Sequence, residues 1–351
     1  MIHGGDVYSE GLLKGRELLD FSSNINPLGV PESFKNNIGE ALQALERYPD
    51  IKYREVLKSL SDYVSLPEEY FVLGNGAAEI IDLVISCFKR LLIVVPSFAE
   101  YEADAKKWGC SIEYSYLKED MDFDYEDILN KLQYTDALII GNPNNPNGNI
   151  IDKIKLDPIL QYCEENGKSL IIDEAFIEFT GDKNYSFTEA AEHYNCLFII
   201  RALTKFFAMP GIRFGYGISK NKVLLDNIRS KQNPWNINCF AELAVKYVLK
   251  DKKYIEETLK WIKEERDCFT HNLSKLPVIE KVYKTYSNYV LCRLNNAQGE
   301  ELYTYCMENL VVIRKAGNFN GLNDSYVRFA IKDRSSNERL LKLLKAFKKE
   351  S

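Results

Sequence analysis

Residues 197–216, LFIIRALTKFFAMPGIRFGY, place a single lysine, Lys205, in surroundings that are unusual for a surface cation. The apolar run at 197–200 predicts a buried strand that ends just before the lysine. Aromatic and apolar residues follow at 206–209, and a Pro210-Gly211 turn signal comes next. Such a lysine loses hydration, so its pKa falls toward neutrality and its amine becomes a nucleophile that can form a Schiff base. A lysine that extends its ammonium to solvent is the structural alternative.

Short apolar runs alternate with amphipathic stretches through the first two thirds of the chain. The predicted strands are 91–95, 137–140, 170–172 and 197–200, and helices are predicted at 99–109 and 155–167. This alternation indicates an α/β fold with a parallel sheet buried on both faces. A polar or turn-rich segment follows each run, and ligands of such sheets bind beyond the carboxyl ends of the strands. We therefore expect the four segments to line one cleft.

The pattern changes near residue 240 and predicts a second, smaller α+β domain. Residues 241–275 have the composition of one long amphipathic helical region, and apolar strand-like runs follow. The expected organisation is an N-terminal segment at 1–30 that packs on the small domain, a large cofactor-binding domain at 31–240 and a small C-terminal domain at 241–351.

Composition excludes several classes of function. The 351 residues carry a formal net charge of −6, so there is no electrostatic footprint for nucleic acid. No apolar run approaches the roughly 18–20 residues that span a bilayer, and the first residues lack the features of a signal peptide. The eight cysteines are scattered, and with only three histidines nothing argues for a metal site. We expect a cytoplasmic protein with reduced thiols.

Two polar residues at predicted strand ends suit an aromatic, electron-withdrawing ligand. Asp173 ends a buried strand, where a carboxylate needs a partner such as a protonated pyridine nitrogen. The alternative is that it caps the next helix. Asn145 lies in the turn at 144–148, where it can donate to a phenolate-like oxygen and to a substrate carboxylate. Turn chemistry alone also explains an asparagine there.

A phosphate site and a stacking ring complete the set. Gly76 and Ala77 precede a helical run, and exposed N–H groups at a helix start favour a phosphate. Arg213 can add a fixed positive charge, and Phe98 can stack on an aromatic ring, although core packing also explains a phenylalanine. Together with Lys205, these residues match the requirements of one cofactor, pyridoxal 5′-phosphate (PLP).

Further motifs extend this pattern to the whole chain. They are His3-Gly4-Gly5, DFSSNINPLG at 20–29, RYPD at 47–50, PWNIN at 234–238 and VRFAI at 327–331. With these motifs the chain resembles the fold-type I PLP-dependent enzymes of the class I/II aminotransferase group. It is most similar to the threonine-phosphate decarboxylase branch, which is related to the histidinol-phosphate aminotransferases.

The resemblance implies a role for each matching residue. Lys205 would form the Schiff base, Asp173 would pair with the pyridine nitrogen, Asn145 would contact the ring oxygen and Phe98 would stack on the ring. The cofactor phosphate would be held by Gly76, Ala77, Thr204, Arg213 and, from the second subunit of a homodimer, Tyr48. Substrate contacts would come from His3, Gly4, Asn24, Asn145, Arg314 and Arg328.

Arg314 and Arg328 follow or lie in apolar strand-like runs, where a guanidinium is costly unless it meets an anion. The resemblance implies that Arg328 clamps a substrate carboxylate and that Arg314, with His3, favours its phosphate. A salt bridge to a neighbouring Asp or Glu is the structural alternative for each arginine, and a disordered terminus is the alternative for His3.

Three positions depart from the pattern of relatives. Ala202 stands where a serine commonly contacts the cofactor phosphate, and Asn147 stands where a threonine is usual. Phe176 replaces a tyrosine that typical aminotransferases use as a donor to the ring oxygen, which favours the decarboxylase branch. The resemblance thus implies decarboxylation of L-threonine O-3-phosphate. Alternatives are histidinol-phosphate aminotransferase activity, phosphoserine as substrate, or a non-catalytic protein that binds a phosphorylated ligand.

Overall fold

The computed structural model describes residues 6–348, a range that excludes His3 and Gly4. Within it the strands are β1 Leu19–Asp20, β2 Phe71–Gly74, β3 Arg90–Val95, β4 Ser111–Tyr116, β5 Ala137–Gly141, β6 Ser169–Asp173, β7 Leu197–Ala202, β8 Gly215–Ile218, β9 Ile279–Val282, β10 Tyr289–Leu294, β11 Val311–Val312, β12 Arg314–Lys315 and β13 Tyr326–Ala330. The helices are α1 Glu32–Lys35, α2 Ile38–Ala44, α3 Arg54–Val64, α4 Ala77–Ile85, α5 Ala99–Lys107, α6 Tyr125–Leu132, α7 Lys153–Glu165, α8 Lys222–Ser230, α9 Cys239–Val248, α10 Lys252–Leu273, α11 Gly299–Glu308 and α12 Arg334–Ala346. None of the helices in this range has the length and apolar character needed to cross a membrane.

A seven-stranded sheet with the order β2-β8-β7-β6-β5-β3-β4 forms the centre of the fold. The four apolar runs predicted as strands are β3, β5, β6 and β7, which are neighbours in the sheet and run parallel. Only β8 runs antiparallel to its two neighbours. The predicted α/β fold with a mostly parallel central sheet is confirmed.

Both faces of this sheet are buried because alternate side chains enter two different hydrophobic clusters. Ile139 and Ile171 pack in the cluster that includes residues of α4, α5 and α8. Ile140 and Ile172, their immediate neighbours, pack in the larger cluster on the other face. Successive side chains of a strand point to opposite faces, so only a strand that is apolar throughout can be covered on both sides.

The remaining strands form two smaller sheets. One is antiparallel with the order β12-β13-β10-β9. In the other, β1 pairs in parallel with β11, with Leu19 opposite Val311. The chain before residue 30 therefore contacts the C-terminal part of the chain. The domain boundaries at residues 30 and 240 stay predictions.

The prediction of a single long helical region at 241–275 is wrong in one respect. The structure has two helices there, α9 and α10, with a break at 249–251. The side chain of Asp251 accepts a hydrogen bond from the Tyr254 backbone N–H at 3.1 Å, so it caps the start of α10. An N-cap aspartate satisfies a donor that has no partner inside the helix, and this favours a new helix over a continuous one.

Glycines on β8 allow helix α4 to approach the sheet closely. A Cβ atom at Gly215 would lie 2.3 Å from the Ala77 backbone nitrogen and 2.7 Å from the Ala77 Cα. Both of these atoms belong to the backbone at the start of α4, which cannot rotate away as a flexible side chain can. The close approach fixes the N-terminus of α4 at the edge of the sheet.

We expect Gly215→Ala to lower the free energy of unfolding by about 2–3 kcal/mol, because the added methyl group displaces backbone. The measurement is the midpoint of urea unfolding, with an unchanged m-value. Gly39→Ala is the matched control, since a Cβ at Gly39 meets no atom within 4 Å, and it should leave stability unchanged or slightly raised. Equal midpoints for the two variants would contradict the packing described here.

Candidate active site

A cavity of about 350 Å³ lies at the carboxyl ends of β5, β6 and β7. Most of the residues predicted to bind cofactor or substrate line it: Asn24, Ala77, Phe98, Asn145, Asp173, Thr204, Lys205, Arg213, Arg314 and Arg328. They come from segments that are as far apart in sequence as residues 24 and 328. The structure therefore brings them together as the resemblance predicts, while the individual roles stay predictions.

The other predicted residues are placed differently. Gly76 lies directly against the Arg213 guanidinium without itself lining the cavity. Tyr48 is 76% exposed, and its ring contacts that of Trp235 in a tilted arrangement with the centroids 4.7 Å apart. At that position Tyr48 lies outside the cavity of its own chain, and a role at the site of a partner chain stays a prediction. His3 and Gly4 lie outside the described residues.

Lys205 presents its amine to the cavity. It follows β7 in an irregular turn, and within residues 6–348 its ammonium makes no hydrogen bond. Burial, together with the positive charges of Arg328 and Arg213, lowers the pKa of Lys205 to about 8. The predicted desolvation of this lysine agrees with its place in the structure. A substantial neutral fraction near physiological pH makes the amine nucleophilic.

Asp173, the last residue of β6, is held by two hydrogen bonds. Its Oδ1 accepts from the Ala175 backbone N–H at 2.9 Å, and its Oδ2 accepts from the Tyr101 hydroxyl at 2.6 Å. Burial raises the pKa of Asp173, and the bond from Tyr101 partly offsets this effect. Asp173 does not cap a helix, because the next helical turn has Phe176 at its N-cap. The carboxylate is fixed at the cavity wall, where it can meet a protonated ring nitrogen.

The start of α4 and Arg213 form a cradle of the size and charge that a phosphate requires. Gly76 has φ +84°, and a Cβ atom there would lie 2.4 Å from Nη2 of Arg213. Only glycine therefore leaves room for the guanidinium beside the first N–H groups of the helix. Backbone donors, the helix dipole and a fixed cation together suit a phosphate dianion. These residues fit PLP.

Arg328 is a buried cation that lacks a carboxylate partner in the described chain. Its Nη1 donates to Asn145 Oδ1 at 2.5 Å, and its Nη2 donates to the Ser22 carbonyl at 2.6 Å. Its Nε is buried without a hydrogen bond among residues 6–348. Burial lowers the pKa of Arg328 to about 10, and the charge of Arg314 contributes to this. The expected alternative, a salt bridge to a neighbouring Asp or Glu, is not found for Arg328.

Arg328 also fixes the orientation of Asn145. A guanidinium can only donate hydrogen bonds, so the Asn145 atom that it contacts has to be the amide oxygen. The NH₂ group of Asn145 is then left as a donor at the cavity. This is the arrangement that contact with a phenolate-like ring oxygen requires.

Arg314 occupies the same side of the cavity as Arg328. Its guanidinium donates to the Lys315 carbonyl at 2.6 Å and to Asn318 Oδ1 at 2.9 Å, and it lies 4.9 Å from the centre of the Phe319 ring. Burial lowers its pKa to about 10, so the group stays cationic near neutral pH. Asn24, which the structure places at the cavity too, has a buried Oδ1 with no hydrogen-bond partner among residues 6–348.

Sequence reasoning missed two aromatic residues of the site. Tyr101 lies three positions after Phe98 on the same face of α5, and that spacing was a usable signal. Phe319 also lines the cavity, but it comes from a loop for which the sequence offers no periodic pattern. Two of the three departures from relatives, Ala202 and Phe176, line the cavity as well, and neither offers a side-chain donor.

Comparison with known proteins agrees with this geometry. The profile of the family described as Aminotransferase class I and II matches residues 16–346. The chain belongs to this family. Enzymes of the family use PLP, which confirms the predicted cofactor at the level of the family.

Similar proteins carry two different activities in their names. A relative from Caldanaerobacter subterraneus, provisionally named a threonine-phosphate decarboxylase, is 38% identical over 99% of this chain and 94% of its own length. The threonine-phosphate decarboxylase of Salmonella typhimurium is 35% identical over 98% of this chain and 95% of its own. A crystal structure of the histidinol-phosphate aminotransferase from Clostridium acetobutylicum is 57% identical, with a TM-score of 0.92 over 93% of this chain and 98% of its own.

The lowered pKa of Lys205 predicts how the reactivity of its amine depends on pH. Below about pH 8 the rate of arylation by fluorodinitrobenzene should fall about tenfold per pH unit, because the neutral fraction falls by that factor. Above pH 8 the rate should level off, whereas exposed lysines of the same chain keep gaining reactivity up to about pH 10. Peptide mass spectrometry of the apoprotein measures both in one sample. A profile for Lys205 that coincides with the exposed lysines would refute the assigned environment.

Proposed function

We propose that this protein is a PLP-dependent decarboxylase that converts L-threonine O-3-phosphate to (R)-1-aminopropan-2-yl phosphate in the synthesis of the cobalamin side chain. The observation that carries the proposal is the pair of buried guanidiniums, Arg314 and Arg328, in the cavity that holds Lys205. The relatives from Caldanaerobacter and Salmonella support it by their names.

The charges at the cavity favour a substrate with two anionic groups. Beyond Arg213, which belongs to the phosphate cradle, two further arginines face the cavity, and Asp173 is its one carboxylate among the described lining residues. An amino acid that carries a phosphate supplies two anions at once, a carboxylate for Arg328 and a phosphate for Arg314. Charge-assisted, bidentate contacts of this kind fix position as well as charge.

PLP, when bound, supplies an electron sink for the pair of electrons left at the substrate α-carbon. Asp173 would hold the positive charge at the ring nitrogen, and the NH₂ group of Asn145 would donate to the ring oxygen. Arg328 and Arg314 would together set which α-carbon bond stands perpendicular to the ring. With the carboxylate in that position CO₂ would be lost, and Lys205 would be placed to return a proton to the α-carbon.

Histidinol-phosphate aminotransferase activity is the second candidate, and the 57% identity to the Clostridium acetobutylicum protein favours it. Histidinol phosphate has a phosphate but no carboxylate, so it would use only one of the two arginines at a time. The amino acid that donates the amine in transamination would then use Arg328. The same residues support either reaction, and the substrate decides between them.

In the direct test, purified protein and PLP are incubated with threonine phosphate, and the release of CO₂ is measured. A second reaction contains histidinol phosphate and a 2-oxo acid. We expect CO₂ release from threonine phosphate, slower release from phosphoserine and little transamination. Turnover of histidinol phosphate that depends on the 2-oxo acid, without CO₂ from threonine phosphate, would identify the aminotransferase instead. A protein that neither binds PLP covalently nor turns over either substrate would support a binding function.

Arginine-to-lysine substitutions should separate the two anion contacts. Arg328→Lys should lower kcat/KM for threonine phosphate about 100-fold or more, because lysine cannot make the paired contacts to a carboxylate and to Asn145. Arg314→Lys should mainly raise KM for threonine phosphate and should leave the weak reaction of unphosphorylated threonine within about twofold. Steady-state kinetics with both amino acids measure the difference. Equal losses for threonine and threonine phosphate in Arg314→Lys would contradict a phosphate contact at Arg314.

We also propose a homodimer in which Tyr48 serves the partner's phosphate site. Several large apolar side chains in residues 28–51, and one near 235, are exposed: Leu28, Ile38, Leu42, Leu45, Tyr48, Ile51 and Trp235. Exposed apolar residues concentrated in one stretch are typical of an interface. Since Tyr48 lies outside the cavity of its own chain, only a second copy could bring its hydroxyl to a cofactor.

Mixing two impaired variants, at a PLP concentration too low to saturate Tyr48→Ala, tests this arrangement. Lys205→Ala lacks the nucleophile, and Tyr48→Ala should weaken PLP binding about tenfold or more. In a mixed dimer, one of the two sites would combine an intact Lys205 with an intact Tyr48 from the other chain. Co-refolded variants should therefore recover up to about half of the wild-type activity per mixed dimer. If mass spectrometry shows mixed dimers but no activity is recovered, Tyr48 does not serve the partner's site. It would then act at the site of its own chain or at neither site.

A further inference from the structure

The segment at 22–26 contacts both Arg328 and the turn that carries Lys205. The Ser22 carbonyl accepts from Arg328, Asn24 lines the cavity, and Asn26 meets the turn that carries Lys205. Ser23, between the first two, also lines the cavity. Ser22 and Asn24 have a place in the proposed site, but Asn26 does not touch the cavity.

Asn26 is buried, at 2% exposure, and binds the backbone of the lysine turn twice. Its backbone N–H donates to the Lys205 carbonyl at 3.3 Å, and its side-chain NH₂ donates to the Phe206 carbonyl at 2.8 Å. The same NH₂ group donates to Thr258 Oγ1 at 2.9 Å. The side-chain oxygen accepts from the Leu28 N–H at 3.0 Å. Both the NH₂ group and the oxygen of this side-chain amide are hydrogen-bonded, so the amide has only one orientation.

The lysine turn depends on donors from outside itself. Residues 203–208 form turns that belong to neither a helix nor a strand, and their side chains other than Lys205 are buried. Buried carbonyls that lack the regular ladder need other donors, or the conformation is lost. Within the turn, the Ala208 N–H reaches the Lys205 carbonyl at the longer distance of 3.4 Å. The next carbonyl, that of Phe206, accepts from the Asn26 side chain at 2.8 Å and from the Tyr254 hydroxyl at the longer distance of 3.4 Å.

We infer that Asn26 is a positioning residue for Lys205. It acts through the backbone of residues 205 and 206 and keeps the amine directed into the cavity at the place where the cofactor aldehyde is held. A shift of the backbone by about 1 Å at a reacting group can cost about 100-fold in rate. This inference rests on the proposed binding of PLP by Lys205. It does not depend on which substrate the protein uses.

The experiment measures how fast PLP becomes attached to Lys205. Apoprotein is mixed with PLP, samples are treated with borohydride at successive times, and mass spectrometry gives the fraction of chains that carry the reduced adduct. In Asn26→Ala the rate of attachment should fall about ten- to 100-fold, and the pH at which the rate levels off should move upward as water enters the turn. Total PLP retained on the protein should fall much less, because the phosphate cradle is unchanged.

Thr258→Val is the matched control. It removes the third contact of the Asn26 amide at an equally buried position, but it leaves both bonds to the lysine turn intact. We expect its Tm to fall about as far as that of Asn26→Ala, with an attachment rate within about twofold of wild type. Asn26→Ser is the second variant, since serine can still accept from Leu28 but cannot reach the Phe206 carbonyl, and it should be slow like Asn26→Ala.

The inference is overturned if Asn26→Ala or Asn26→Ser attaches PLP at the wild-type rate, or if Thr258→Val is slowed as much as the Asn26 variants at equal loss of Tm. Either result would make Asn26 a residue of general stability. Failure of the proposed cofactor is a separate outcome, because wild-type protein would then show no adduct at Lys205 at any time.

Discussion

Desolvation of positive charge is the constraint around which this site is built. Lys205, Arg213, Arg314 and Arg328 share one cavity with a single carboxylate, Asp173, among its described lining residues. Burial lowers the pKa of Lys205 and of the two substrate-side arginines. For the lysine this yields a neutral amine, whereas an arginine stays charged and attracts an anion. One physical effect thus yields both a nucleophilic amine and a cationic site suited to an anionic ligand.

Another buried arginine of the same protein, Arg201, has its charge paired with carboxylates. Arg201, in the strand that leads to Lys205, lies 3.1 Å from Glu174 and 2.7 Å from Glu178. Burial alone would lower its pKa, but the two carboxylates raise it above its ordinary value. Because its charge is already paired, Arg201 stabilises the end of the sheet and has no need of a ligand. Arg328 donates only to the neutral oxygens of Asn145 and Ser22, so its charge is not compensated in this way.

The sequence predicted most of the central sheet because its parallel strands are apolar throughout. It did not predict β2, which has only four residues, or β4, whose residues are mostly exposed or half-buried at the sheet edge. Nor did it predict β8, in which two glycines interrupt the apolar pattern. Residues at the ends of predicted strands, such as Asp173, could be placed in the cleft by topology alone. Asn26 could not, because its partners are fixed by packing between distant segments, and no local period encodes that.

The pairing of Ser22 with Arg328 joins residues that are 306 positions apart. Contacts of such long range form late, since the entropy of closing the loop has to be overcome before they contribute. During synthesis the sheet and Lys205 can be in place well before Arg328 leaves the ribosome. A chain that ends before β13 lacks the guanidinium that contacts Ser22 and Asn145 and that helps to lower the pKa of Lys205. The cavity therefore has its full set of charges only once β13 has paired with β10.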